Sequence, residues 1–538
     1  MPVKICAVNS KFIHSNLAVH SLACYFKKFC ENIELAVCEF TVNDVYKNVL
    51  FSILADKPEI IAFSVYIWNV GFINKLCGDI KKIAPEIKII LGGPEVSFGA
   101  PFDCDIFDYI IAGEGERAFF CLVNEIYGND VSDYKEKFGY KYKIDEKRVS
   151  CGEINNLGEI PFVYTQDNIN LFKDRIIYYE SSRGCPFSCS YCLSAQSRYV
   201  RCLPVERVYI DIDFFIREES VGQVKFVDRT FNGDKNRAYA IFEYIINNAG
   251  KNKNFHFEIC ADLLDERVIN LLSEADGGLI QFEIGIQTTN KKTLEICARK
   301  TDINKCFENI KLLLKNKNIN IHVNLIAGLP EDTLEDFKDA FNQVYNLKAH
   351  QFQLGFLKLL KGAPLNQQVG KYGYEFSAYP PYEILGNNSM AHEDLLVLHR
   401  AAASLDKFYN SGKFEKSLDY CIGFFDSPFD FYLSLANYML SRDCLYRACS
   451  PENLFDTLAG FAALHDININ LLKESLLIDY HSRDIYDRPP GILRDIWLPH
   501  KNYKNIGKDA RKAGDKYYFF DYSEKNPVTD KYNIIKIL

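Results

Sequence analysis

The run Glu180-Ser-Ser-Arg-Gly-Cys-Pro-Phe-Ser-Cys-Ser-Tyr-Cys-Leu193 spaces three cysteines, Cys185, Cys189 and Cys192, as CxxxCxxC. Three close thiolates can hold three irons of a 4Fe-4S cube and leave the fourth iron open. An ordinary electron-transfer cluster takes four cysteines, so a missing fourth ligand points to a substrate or cofactor that completes the site. A structural zinc ion prefers four ligands, and three unrelated core thiols are the other plain reading.

Composition sets outer bounds. At 538 residues the chain has room for about three or four domains. Its 48% hydrophobic and 25% charged content is that of a globular protein with a large core. A net charge of −8 gives no global pull toward nucleic acid or an anionic membrane. Of 18 cysteines, several outside the triplet lie in apolar runs (Cys6, Cys38, Cys260, Cys297), as buried reduced thiols do. The opening Met1-Pro-Val-Lys-Ile reads as a strand rather than a secretory signal, and the longest apolar stretch, Ile60 to Ile73, is short for a bilayer and contains Asn69. A cytoplasmic, reducing setting and no membrane partner are the expectations.

Upstream of the triplet, strand-like segments (Val3–Val8, Glu34–Phe40, Ile60–Tyr66, Lys88–Leu91, Tyr109–Ala112) alternate with helix-like ones such as Leu17–Phe29 and Ile73–Ile83. Alternation of this kind predicts a Rossmann-like, doubly wound parallel sheet over 1–125. Its ligands would bind at the carboxyl ends of the strands. The loops there are Asn9–Ser15, Ser64–Asn69, Gly92-Gly-Pro-Glu-Val-Ser97 and Gly113-Glu-Gly-Glu116. Residues 126–175 are polar and read as a linker or small subdomain.

From 176 to 361 six strand candidates (Ile176–Ser181, Gln223–Val227, His256–Cys260, Leu279–Ile284, Ile321–Ile326, Gln351–Leu357) alternate with helical segments, giving six βα units. This predicts a partial (β/α)6 barrel, with active residues at the carboxyl ends of its strands. From 362 to 538 the pattern becomes mainly helical and rich in Tyr, Phe and Leu. It closes in a β-hairpin, Lys516–Tyr522 and Tyr532–Leu538, turning at Asn526-Pro527. The fold class is α/β, with a helical cap domain at its C-terminal end.

The cysteine run resembles the signature of radical S-adenosylmethionine (SAM) enzymes, in which SAM chelates the open iron. The first 125 residues resemble the cobalamin-binding domain that precedes many of these enzymes, most closely at Leu91-Gly-Gly-Pro-Glu-Val-Ser and Ile111-Ala-Gly-Glu-Gly-Glu. Gly92, Gly93, Pro94 and Gly113 are the cobalamin contacts this resemblance implies. The family's histidine ligand motif Asp-x-His-x-x-Gly is out of register here, since the loop reads Asn9-Ser-Lys-Phe-Ile-His-Ser15. His14 is therefore read first as a hydrogen-bonding loop residue rather than a cobalt ligand.

By the same resemblance, Tyr191 lies beside the adenine of SAM, and Asp228 in Phe226-Val-Asp-Arg-Thr-Phe231 stands near its amino group, with Arg229 where relatives carry a second acid. Phe282-Glu-Ile-Gly-Ile-Gln287 resembles a strand end of the oxygen-independent coproporphyrinogen oxidase branch, so Glu283 would accept from the ribose hydroxyls. Arg299 would pair with the SAM carboxylate. Gly328 in Asn324-Leu-Ile-Ala-Gly-Leu-Pro would let the backbone approach adenine. The implied cofactors are a 4Fe-4S cluster, SAM and cobalamin, with a flavodoxin or ferredoxin as reductant. The implied chemistry is reductive cleavage of SAM to a 5′-deoxyadenosyl radical, then methyl transfer to, or rearrangement of, an unactivated carbon of a small molecule.

Rival readings are a radical SAM enzyme without cobalamin acting on a small molecule or RNA, and a non-catalytic SAM or cobalamin sensor. The run Lys501–Tyr517 is locally basic, but the acidic whole argues against nucleic acid. Cys6, Cys24 and Cys38 fall in predicted strands and helices, unlike the loop-borne second cluster of methylthiotransferases.

Overall fold

The computed structural model describes residues 2–99, 102–138, 143–197, 199–483, 488–496, 510–513 and 516–537. By packing the chain divides into two compact units. One runs to Glu258 and takes in Lys358–Gln368 and Phe376–Glu383; the other holds Ile259–Leu357, Val369–Glu375 and the chain from Ile384.

The first unit begins with a sheet of seven strands: β1 (Val3–Asn9), β2 (Leu35–Thr41), β3 (Ile60–Ser64), β4 (Lys88–Gly92), β5 (Tyr109–Ile111), β6 (Lys143–Asp145) and β7 (Arg148–Ser150), in the order β2-β1-β3-β4-β5-β7-β6. β1 to β5 are parallel. β1 and β3 are buried throughout, as central strands covered on both faces must be. Alternate side chains feed two cores. Val3, Ile5 and Ala7 pack with Val19, Phe26 and Phe119 of helices Leu17–Phe29 and Glu116–Ile126. Cys6 and Val8 pack with Val49, Ile53, Ile73 and Leu76 of helices Tyr46–Leu54 and Val70–Ile83. The strand order reverses between β1 and β3, where open α/β sheets place their ligand crevice. The β6–β7 hairpin lies inside the stretch expected to be a linker. Its three-residue strands carry Lys143, Asp145 and Arg148 on exposed positions, too short and charged to show a strand period.

The same unit continues with β8 (Ile177–Tyr179), the short antiparallel pair β9 (Ser182–Arg183) and β10 (Arg201–Cys202), then β11 (Gln223–Phe226) and β12 (Asn254–Ile259). β11 is parallel to both β8 and β12. Helices Val205–Arg217 and Lys235–Asn248 follow β10 and β11.

The second unit opens with β13 (Ile280–Gln287), β14 (Asn320–Ala327) and β15 (Gln351–Phe356), parallel and adjacent in that order. The six strands expected between 176 and 361 are thus all formed. Helices Ile303–Lys315 and Leu334–Tyr345 connect the last three. Beyond them come His392–Phe408, Glu415–Ile422, Pro428–Ser441, Pro451–Leu464 and Ile469–Arg483. Phe341 packs against Phe352 of β15 and against Phe429 and Tyr432 of the helix at 428, so aromatic side chains build this core. The chain ends in strands Ala510–Ala513, Lys516–Lys525 and Tyr532–Ile537. The last two form the expected hairpin, whose Asn526 side chain accepts from Val528 and Thr529 at 2.9 and 3.0 Å. Most of the basic run Lys501–Tyr517 lies outside the described residues. Among the described residues no helix is long and apolar enough to cross a membrane.

Candidate functional site

The cysteine loop starts where β8 ends. Gly184 has φ +107, and a Cβ there would collide with the Tyr199 carbonyl, so the turn into Cys185 needs glycine. The loop closes through Cys185 N–H to Ser197 O at 3.2 Å and Cys192 N–H to Cys189 O at 3.0 Å. Cys185 and Cys189 are buried, Cys192 is half-buried, and none is in a disulfide. The Cys185 sulfur is 3.4 Å from the Thr230 hydroxyl at the end of β11. Among the described residues no three His, Cys, Asp or Glu side chains are grouped around a single metal ion. A cube asks something else of its thiolates, one at each of three iron corners. The buried Ser190 hydroxyl inside the loop has no hydrogen-bond partner. The donor set, three cysteines on one short loop and outside any disulfide, fits a three-cysteine cluster.

Two polar assemblies hold this loop. Asp228, 1% exposed, accepts from Ser181 N–H at 3.0 Å and from the hydroxyls of Ser181 and Ser182 at 2.7 and 2.5 Å. Burial raises its pKa to about 6 against the pull of those hydrogen bonds. Both carboxylate oxygens are thus engaged with the backbone leading into the cysteines. Arg183 is held by Glu114 at 3.1 Å and by Glu116 and Glu180 at 2.8 Å each. Arg201 also binds Glu114 at 2.6 Å. Burial opposes the guanidinium charge, but Glu116 and Glu180 outweigh it and raise the Arg183 pKa. Glu114 lies in the loop after β5 and Glu116 opens the helix that follows it, so ion pairs tie this segment to the cysteine loop. Sequence reasoning missed Ser181, Ser182, Arg183 and Thr230 as supports, although Arg183 and Thr230 stand beside residues it singled out.

At the carboxyl ends of the N-terminal sheet, Gly93 has φ +109, and a Cβ there would lie 2.6 Å from the Val65 carbonyl. Ser97 Oγ donates to the Gly93 carbonyl at 2.8 Å and accepts from Gly113 N–H at 3.2 Å. Val65 N–H donates to Gly92 O at 2.7 Å. The loops after β3, β4 and β5 are thereby locked together, with Gly92, Gly93, Pro94 and Gly113 among them. After β3, Tyr66 and Trp68 stack with centroids 4.4 Å apart, and Trp68 is 48% exposed. This flat apolar face beside glycine-lined backbone fits a flat macrocycle. His14 Nδ1 lies 2.7 Å from the Tyr178 hydroxyl, and burial, with Lys11 and Lys225 nearby, lowers its pKa.

In the second unit, β13 alternates buried apolar residues with partly exposed ones, and Glu283 shares the latter face with Gly285 and Gln287. Arg299 donates to the Gly285 carbonyl, which brings it to the strand that carries Glu283. Gln287 sits at a bulge with φ +72. Gly328 follows β14 with φ +84, and a Cβ there would run into Ile384. Its carbonyl accepts from Tyr374 Oη at 3.0 Å and Asn387 Nδ2 at 3.1 Å. Asp332, wholly buried nearby in sequence, accepts from Thr288 Oγ1 at 3.2 Å, and burial pushes its pKa to about 7.

The sequence matches the family models of the B12 binding domain over residues 3–122, the radical SAM superfamily over 179–344, and a protein of unknown function (DUF4080) over 370–534. It is 26% identical over 354 residues to the cobalamin-dependent radical SAM methyltransferase TokK of Streptomyces tokunonensis, covering 59% of this chain and 50% of TokK. It is 23% identical over 309 residues to the anaerobic magnesium-protoporphyrin IX monomethyl ester cyclase of Rubrivivax gelatinosus, covering 53% and 54%. The chain spans about half the length of these curated relatives. Its fold is similar to that of the cobalamin-dependent SAM radical enzyme OxsB, solved with aqua-cobalamin and SAM bound. That match has a TM-score of 0.61 at 15% identity and covers 91% of this chain and 82% of OxsB.

Proposed function

We propose that this chain, which belongs to the radical SAM proteins that carry a cobalamin-binding domain, is an enzyme that alkylates or rearranges an unactivated carbon of a small molecule. The observation that carries the reading is the loop of three largely buried cysteines, none of them in a disulfide, held by Arg183 and Asp228. Cys185, Cys189 and Cys192 hold the 4Fe-4S cluster, and the half-buried Cys192 is its most solvent-accessible ligand. Tyr191, Glu283, Arg299 and Gly328 contact SAM. Asp228 acts on the cysteine loop through Ser181 and Ser182. Gly92, Gly93, Pro94 and Gly113 face cobalamin, and His14 bonds to Tyr178 through Nδ1.

When bound, these groups supply a carbon-centred radical that takes hydrogen from an unreactive C–H bond, and a methyl group to place there. The chain's own residues bind, orient and exclude water. Burial of Cys185 and Cys189 keeps solvent from two thiolates, and the Thr230 hydroxyl, which donates to the Arg229 carbonyl, lies 3.4 Å from the Cys185 sulfur. Gly93 and Gly328 hold positive-φ turns whose Cβ positions are filled by Val65 and Ile384, which fixes the backbone after β4 and β14. Cyclisation without methylation is the second reading, favoured by the similarity to the cyclase. A flavodoxin- or ferredoxin-type reductant and a cytoplasmic location go with either.

The test is elemental analysis of protein produced anaerobically with cobalamin supplied. About one cobalt and four irons per chain are expected from the ligand sets above. Four irons without cobalt would remove cobalamin from the account.

A further inference from the structure

Tyr382 lies in the Phe376–Glu383 stretch, which packs within the first unit. Its hydroxyl donates to the carboxylate of Glu95, and both residues are buried. A buried carboxylate without hydrogen bonds is costly. Burial raises the Glu95 pKa while the Tyr382 bond pulls it down. Glu95 is two residues beyond Gly93 and two before Ser97, the residues that lock the loops after β3, β4 and β5. Fixing its side chain therefore fixes the whole turn.

The preceding stretch, Lys358–Gln368, reaches Phe98 and Gly99, which directly follow this turn, and the cysteine loop. Lys361 Nζ lies 5.5 Å from the Tyr382 ring centroid and donates to Gly99 O at 2.8 Å. Gly362 packs so closely on Phe98 that a Cβ would come within 2.5 Å of the ring, and its carbonyl accepts from the Gln196 side chain. Leu365 N–H donates to Ser190 O at 2.7 Å, between Cys189 and Tyr191. Lys358–Gln368 thus holds the end of this turn, at Phe98 and Gly99, together with the cysteine loop, while Tyr382 holds the turn itself at Glu95.

We propose that Tyr382 is a positioning residue for the Gly93–Ser97 turn, and that Lys358–Gln368 with Phe376–Glu383 forms a strap joining that turn to the cysteine loop. The consequence for cobalamin rests on the reading of these loops given above. Tyr382→Phe keeps the ring and its Lys361 contact and removes only the hydroxyl. In the full-length, anaerobically reconstituted protein, the variant should bind hydroxocobalamin with a Kd about tenfold weaker, the loss of one hydrogen bond to a charged group. Iron per chain and far-ultraviolet circular dichroism should not change. Glu95→Gln, which keeps an acceptor, should bind near the wild-type Kd, and Glu95→Ala should match Tyr382→Phe. A wild-type Kd in Tyr382→Phe overturns the assignment, as does loss of iron and helical signal together, which would make Tyr382 part of the core alone. Failure of the unmutated protein to bind hydroxocobalamin would instead overturn the loop reading, and the cobalamin consequence with it. Hydrogen exchange tests the strap separately. Tyr382→Phe should speed exchange in peptides spanning residues 92–99 and 189–197, and unchanged exchange in both overturns the strap whatever cobalamin does.

Discussion

Arg183 Nη2 lies 2.8 Å from Glu116 Oε1, joining the residue two positions before the first cysteine to the helix that follows the fifth strand of the N-terminal sheet. The two are 67 positions apart, and the guanidinium also serves Glu114 and Glu180. Removing the cation leaves three carboxylates crowded, of which Arg201 still pairs with Glu114. Arg183→Met should cost about 3–5 kcal/mol, the usual penalty for breaking a buried pair from one side. It should lower the urea midpoint and the iron retained per chain. Arg183→Met with Glu116→Gln should recover part of the loss, since the partners couple. An unchanged midpoint in Arg183→Met would refute the role given to this network.

Gly93 combines a positive φ with a carbonyl 2.6 Å from where its Cβ would stand. Gly93→Ala should therefore cost about 1–3 kcal/mol in backbone strain and displace Val65. Gly99 also has a positive φ, but a Cβ there would meet nothing within 4 Å. Gly99→Ala should cost less. Thermal unfolding of the two variants side by side measures the contrast, and equal Tm values would contradict it.

A pH effect is expected in the C-terminal helices. Asp479 is buried and accepts from Lys416 N–H, Ser417 N–H and Ser417 Oγ at 3.0, 2.8 and 2.7 Å, capping the helix Glu415–Ile422 from a distant position. Burial raises its pKa to about 6 from an ordinary 3.8, outweighing these bonds. The folded state therefore holds this proton more tightly than the unfolded chain. Its stabilising contribution is complete below about pH 4, falls as pH rises, and is lost above about pH 6, roughly 3 kcal/mol in all. Urea midpoints between pH 4 and 7.5 should show this fall, and Asp479→Asn should remove it. A variant whose midpoint keeps the wild-type slope would place the titration elsewhere.

Much of this architecture was legible because its signals are local. The cysteine spacing is a short motif, and β1 and β3 are unbroken apolar runs with Gly92-Gly93 following β4. Helix Leu17–Phe29 was bounded correctly from its periodicity, and its Asn16 cap sits where the pattern starts. What escaped is made by long-range pairing. The β6–β7 hairpin has no apolar alternation, and Ala510–Ala513 lies inside a run that reads only as basic. Asp228 was singled out for SAM, but its oxygens go to Ser181 and Ser182, hydroxyls 47 and 46 positions away that no spacing rule connects to it. The bond between Tyr382 and Glu95 spans 287 positions and carries no sequence pattern at all.

The most direct test of the central claim is 5′-deoxyadenosine formed from SAM by the reduced, reconstituted protein, compared with Cys189→Ala. The wild type should release 5′-deoxyadenosine and the variant none, because two thiolates cannot hold the cube with one iron open. A wild type with four irons that releases none, or a variant that releases as much as the wild type, would contradict the account.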